Sequence, residues 1–135
     1  MKYTIEEVLN EKQAKEFLLL PVSLYKNDEN WVRPLDNDIT KVFDPAKNPF
    51  FKHGECTRWL LRDEKGCCVG RVASFIDKSS CHLDSYSVGG MGFFECINDQ
   101  EAAFMLFDRC RVWLEERGME SMEGPVNFGE RNEWW

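Results

Sequence analysis

Val88-Gly-Gly-Met-Gly-Phe-Phe-Glu-Cys-Ile97 is the stretch that decides the fold. It is apolar on both faces apart from Glu95, which is the pattern of a strand buried inside a sheet. Asn98-Asp-Gln-Glu101 follows, and an Asn with a Glu three residues later predicts a capping-box-like helix start. Ala103, Phe107, Cys110 and Leu114 then recur at helical spacing, and Phe104, Leu106 and Trp113 widen the apolar stripe. Arg117 and Gly118 supply a stop, a cation near the helix end and a glycine able to take the left-handed cap. Met119 to Val126 predicts a second strand. Such a strand-helix-strand unit, over 88–127, sets a helix N-terminus beside a strand end, where small anionic ligands bind.

Around this unit lies a chain of 135 residues, enough for one domain. Hydrophobic residues make up 43%, with ten Phe and five Trp, so a packed core is expected rather than disorder. The net charge of −7 argues against nucleic acid or an anionic membrane as partner and suits an amine or cationic substrate. The N-terminus lacks the basic start and long apolar run of a signal peptide, and the apolar run Phe17 to Leu20 is too short to span a bilayer. A cytoplasmic location and six reduced cysteines are therefore expected.

Tyr3 to Leu9 alternates as a first strand. Glu11 to Lys26 reads as a helix with Phe17, Leu18, Leu20, Leu24 and Tyr25 on its apolar side, and Pro21 should kink or split it. Asn27 to Asn30 is a polar turn, Trp31 to Leu35 is extended before and around Pro34, and Asp36 to Phe43 can form a short helix. Asp44 to Phe51 is irregular, with Phe50 and Phe51 anchored in the core. Cys56 to Arg62 and Cys67 to Ile76 pair as a hairpin through Asp63-Glu-Lys-Gly66. In the return strand Val69, Ala73 and Phe75 are expected on one face and Val72 and Ile76 on the other. Both faces look buried, so that strand belongs inside the sheet. Arg71 should reach the rim or pair with a carboxylate. Asp77 to Ser87 is a polar loop. The tail Phe128 to Trp135 ends on two aromatics and reads as cut mid-element.

Five segments carry a resemblance to a known family: Phe17 to Leu35 (FLLLPVSLYKNDENWVRPL), Asp44 to Phe51 (DPAKNPFF), Val69 to Ala73 (VGRVA), Gly92 to Asp99 (GFFECIND) and Gly124 to Trp135 (GPVNFGERNEWW). The chain resembles the N-terminal part of a GNAT-like (N-acetyltransferase-like) family of bacterial proteins. The resemblance implies an α+β acyl-CoA N-acyltransferase fold: a mixed sheet with helices on both faces, forming a single domain over 1–135. It also implies that the last helix and strands of the complete fold are missing. In active members of the superfamily the fourth strand binds the pantetheine arm of CoA through its backbone. A Gln/Arg-x-x-Gly-x-Gly/Ala loop then holds the pyrophosphate. On this chain the implied cofactor residues are Phe94, Cys96, Ile97, Asn98 and Ala103.

Only Ala103 fits that loop pattern. Asn98 stands where Gln or Arg is expected, and Glu101 where the first Gly is expected. A phosphate cradle needs the close approach that glycine permits and the positive potential of a helix start. Asp99 and Glu101 would satisfy that dipole and repel a pyrophosphate, so acetyl-CoA, or any acyl-CoA, is expected to bind weakly or not at all.

Glu95 is the candidate catalytic residue. Buried on an apolar strand, its carboxyl would have a raised pKa and suit a general base taking a proton from an amine. The alternatives are a structural pair with Arg71 or a place at the sheet end. His53 with Cys56, and Cys81 with His82, lack established metal spacing, so no metal is expected. Cys67-Cys68 reads as strand packing, and Met119 and Met122 as gap-filling core. No P-loop, dinucleotide fingerprint or nucleophile elbow occurs. Two functions follow: acyl transfer from acyl-CoA to a small-molecule amine, or a catalytically inactive GNAT-like module that binds a small ligand or another protein chain. Trp134, Trp135 and an open sheet edge invite homo-oligomers.

Overall fold

The strands Thr4–Glu7 (β1), Gly54–Arg62 (β2), Cys68–Asp77 (β3), His82–Leu83 (β4), Tyr86–Cys96 (β5) and Ser121–Glu123 (β6) form one sheet. Helix Glu11–Leu24 (α1) follows β1, and helix Gln100–Glu116 (α2) joins β5 to β6. The structure is a computed structural model and describes residues 3–30, 39–40, 42–44, 54–77, 82–83 and 86–124. The sheet order is β1-β2-β3-β5-β4, antiparallel throughout, with β6 added parallel to β5. Residues 39–40 and 42 are helical, as expected of that segment. The expectations for Trp31 to Leu35, Phe50 and Phe51, and the tail fall outside the described residues.

Each helix covers one face. Phe17 of α1 packs with Leu60, Ala73 and Phe93, alongside Ile39 and Val42. Leu106, Cys110, Trp113 and Leu114 of α2 pack with Trp59, Leu61, Val72 and Met91 on the opposite face. Strand β3 lies between β2 and β5, as its two apolar faces predict.

Two irregularities break simple alternation. Arg62 pairs with Cys68 while Leu61 pairs with Gly70, which leaves Val69 as an extra residue in β3. Val69 therefore packs on the α2 face, not beside Ala73 and Phe75 as alternation alone predicts. In β5, Arg71 pairs with Glu95 but Ala73 with Gly92, and Phe93 has φ 52°. A bulky residue with positive φ is strained, so surrounding contacts must hold it there. The bulge turns Met91, Phe94 and Cys96 to the α2 face, and Phe93 to the α1 face.

Other expectations shift by about one residue. The N-cap of α2 is Asp99, whose side chain accepts from Glu101 N, not Asn98, which is exposed. The buried stripe is accordingly Ala102, Leu106, Cys110, Trp113 and Leu114, and Phe104 is 57% exposed. Arg117 and Gly118 (φ 82°) do end the helix. Gly66 takes φ 83° in the hairpin turn. Cys67 is exposed outside β3, and Met122 is exposed rather than core. The expected loop of 77–87 contains the two-residue strand β4, paired with Tyr86 and Ser87.

The start of β5 is thinned by glycine. A Cβ at Gly89 would lie 2.3 Å from Leu114 Cδ2, and one at Gly90 2.4 Å from Phe75 Cζ. The glycines thus admit α2 on one face and the Phe75 ring on the other. Gly90→Ala is expected to cost about 1–3 kcal/mol, because a packed ring must move. Urea denaturation reads this as a lowered midpoint at unchanged slope.

Candidate functional site

The site is built where the end of α1 meets the bulge of β5. Helix α1 is capped by Asn10, whose side chain accepts from Gln13 N at 2.8 Å, and it runs through Pro21 to Leu24 without splitting. Proline has no N–H, so the carbonyl four residues earlier, Phe17 O, lacks its helical donor. Arg71 Nη1 donates to that oxygen at 2.6 Å, and Arg71 Nε donates to Phe93 O at 2.9 Å. The guanidinium also lies 4.7 Å from the centre of the Phe17 ring. Arg71 is 4% exposed. It neither reaches the rim nor forms an ion pair with Glu95 among the described residues. Two buried carbonyls, Phe17 O from the helix and Phe93 O from the bulge, accept from it instead. Burial pushes its pKa down from 12.5 to about 10, with Glu95 acting in the opposite direction, so it stays a cation at neutral pH.

Glu95 stands opposite Arg71 in the ladder and is half-buried. The phenol of Tyr25, at the C-cap of α1, donates to Glu95 Oε1. Tyr25 is the partner that sequence reasoning missed. The two residues are 70 positions apart, and periodicity carries no signal for such a contact. The acceptor carboxylate raises the Tyr25 pKa from 10.0 to about 12, and burial adds to the shift.

The other expected residues lie on the α2 side. Phe94 packs on Phe107 with ring centres 4.7 Å apart, and Cys96 is half-buried among α2 residues. Burial raises the Cys96 thiol to about 11, which makes it a poor nucleophile. Both backbone groups of Ile97 are engaged: its N–H donates to Val69 O at 3.0 Å, and its carbonyl accepts from Asp99 N at 2.7 Å. Asn98 is exposed, and Ala103 N closes a helical bond to Asp99 O at 3.1 Å. The Asp99 carboxylate accepts from Glu101 N at 3.0 Å and from the Tyr3 hydroxyl. The helix start thus already holds an anion from its own chain, with Glu101 beside it. A CoA pyrophosphate does not fit there.

Among the described residues no group of three or more His, Cys, Asp or Glu is placed to hold a metal ion. His53 and Cys81 lie outside the described residues. The described cysteines are free thiols, and no helix among the described residues is long and apolar enough to cross a membrane.

The curled sheet, the helix on each face and the parallel β5-β6 pair around α2 match solved acetyltransferases. An acetyltransferase of the GNAT family from Staphylococcus aureus Mu50 superposes with a TM-score of 0.62 at 15% identity, covering 89% of this chain and 70% of that one. The fold is that of the GNAT acetyltransferases. AAC(6')-Iy, solved in complex with the bisubstrate analogue CoA-S-monomethyl-acetylneamine, gives 0.62 at 14% identity over 98% of this chain and 84% of its own. The aminoglycoside acetyltransferase meta-AAC0020 from an uncultured soil metagenomic sample, in complex with sisomicin, gives 0.61 at 12% over 93% and 78%. Among curated sequences, Protein YghO of Escherichia coli (strain K12) is 30% identical over 131 residues. That match takes in 96% of this chain but 33% of YghO, so the chain spans about a third of the relative's length. No family model matches the chain.

The tyrosines report on this geometry. Asp99 raises Tyr3 to about 12, as Glu95 does Tyr25. Both folded values lie above the ordinary 10.0, so the stability they contribute is complete below pH 10 and is lost as pH rises through about 12. Near-ultraviolet titration of the folded protein should show two late-ionising tyrosines, and Tyr25→Phe should remove one. Full ionisation near pH 10 in the folded state would refute both contacts.

Proposed function

We infer that the chain carries acyltransferase-like chemistry toward an amine, with Glu95 as general base. The observation that carries this reading is the Glu95 carboxylate held by Tyr25 beside the β5 bulge. An acceptor amine in front of β5 would lose its proton to the Glu95 carboxylate as its nitrogen bonds to an acyl carbon, and the bond from that carbon to the donor's thiol sulfur would break, with the thiol leaving as the free donor product. The Tyr25 hydroxyl would keep the carboxylate in one orientation toward the amine. The acetyl- and CoA-analogue chemistry of the fold's relatives makes an acyl-CoA the donor class to test. Phe94 and Cys96 lie along the strand such a donor would follow. No step is assigned to CoA itself, because the start of α2 does not suit its pyrophosphate.

A second reading is favoured by that same helix start. With Asp99 capping α2 and bound by Tyr3, the chain would be a catalytically silent GNAT-like module that binds a small ligand or another protein chain.

Thiol release from acetyl-CoA against a panel of amines separates the two. On the first reading Glu95→Gln lowers transfer by about 10²–10⁴-fold, the usual range for a general base, and leaves thermal stability nearly unchanged. Transfer that is undiminished in Glu95→Gln removes Glu95 from the chemistry. An absence of both transfer and thermal shift with any acyl-CoA leaves the silent module as the function.

A further inference from the structure

A cleft of about 710 Å³ opens on the α1 face, along the N-terminal half of the helix. Its inner wall is apolar, formed by Phe17, Leu18, Ile39 and Phe43. Into this wall β2 sends Arg58, whose guanidinium lies 4.4 Å from the centre of the Phe43 ring and 5.4 Å from that of Phe17. Both rings lie within cation–π range of the guanidinium, and Arg58 lines the cleft with them.

The other described arginines of the sheet are held by hydrogen bonds. Arg62 is clamped by Glu16 at 2.7 and 2.8 Å and by Glu6 at 2.9 Å, and Arg71 by two carbonyls. Arg58 has ring contacts but no side-chain hydrogen bond or ion pair among the described residues. Burial lowers its pKa, with Cys56 acting in the opposite direction. A partly buried fork of donors at the back of an apolar cleft of this size is the arrangement of a small-molecule anion site.

We propose that this cleft binds a singly charged carboxylate with an apolar body, the carboxylate on Arg58 and the body against Phe17, Leu18, Ile39 and Phe43. The planar fork matches a carboxylate in two-point contact. Exposed Lys15 adds positive charge at the mouth, while Glu11 and Asp44 also line the cleft and disfavour a multiply charged phosphate ester. The site is independent of Glu95, so it stands or falls separately from the acyl-transfer reading.

The probes are phenylacetate, its neutral isostere phenylacetamide, and phenyl phosphate, titrated into the protein up to about 10 mM with amide-resolved NMR, a range that covers weak small-ligand affinities. Phenylacetate should shift the signals of Leu18, Thr40 and Arg58 saturably. Phenylacetamide and phenyl phosphate should bind at least about tenfold more weakly, as loss of a charge-assisted pair or added repulsion dictates. Arg58→Met should abolish the preference for the acid over the amide, and Arg58→Lys should keep part of it. Should Arg58→Met fail to fold, the acid–amide comparison on the unaltered chain decides. Equal affinity for acid and amide, shifts that map elsewhere, or no saturable shift overturns the proposal.

Discussion

One buried cation ties the sheet to the helix that crosses it. Pro21 deprives Phe17 of the helical donor for its carbonyl, and the bulge at Phe93 turns a second carbonyl out of the β5 ladder. Both oxygens are in the interior, where an unmet acceptor costs about 1–3 kcal/mol. Arg71 meets both from the central strand, in two hydrogen bonds that its rigid fork can make together. The desolvation of the guanidinium is partly offset by those carbonyls, by the Phe17 ring and by the nearby Glu95 charge. A helix-breaking residue, a strand irregularity and a buried arginine are each unfavourable alone, and together they compensate one another.

The candidate site inherits its geometry from this arrangement. The bulge brings Gly92 opposite Ala73 and Glu95 opposite Arg71, so the carboxylate stands on the same face as the guanidinium. That face is where α1 ends and Tyr25 can reach it. On the other face the same shift sends Phe94 and Cys96 into the α2 core, and the start of α2 is closed by Asp99. On the α1 face the Glu95 carboxylate is thus held by Tyr25, while the start of α2 is occupied by the chain's own Asp99 carboxylate. The Arg58 cleft adds a second polar group on the α1 face, and Phe17 serves both sites: its carbonyl binds Arg71 and its ring lines the cleft.

Much of this is legible in the sequence, and the rest is not for definable reasons. Strands buried on both faces and a helix with an apolar stripe leave strong periodic patterns, so β2, β3, β5, α1 and α2 stand within a few residues of their expected bounds. A bulge adds a residue without changing composition, so the reversals at Val69 and Phe93 are invisible to alternation. Asn98 and Asp99 are both competent caps, and choosing the wrong one rotates the predicted stripe of α2 onto Phe104. The sequence does hold one overlooked signal for the core. A proline inside an apolar helix and an arginine on a two-sided apolar strand each demand a partner, and each is the other's indirect partner through Phe17 O. The contacts of Glu95 with Tyr25 and of Asp99 with Tyr3 depend on tertiary placement alone.

A double-mutant cycle on Pro21 and Arg71, followed by urea denaturation, tests the account most directly. Arg71→Met alone should cost about 2–4 kcal/mol, since two buried carbonyls lose their donor. Pro21→Ala restores an N–H that can bond Phe17 O. It should therefore be nearly neutral in the parent chain, where that oxygen is already satisfied, and should recover about 1 kcal/mol in the Arg71→Met background. A coupling of that sign shows that proline and arginine act on the same carbonyl. Effects that add within about 0.3 kcal/mol would show that they do not, and would remove the link between helix, bulge and site.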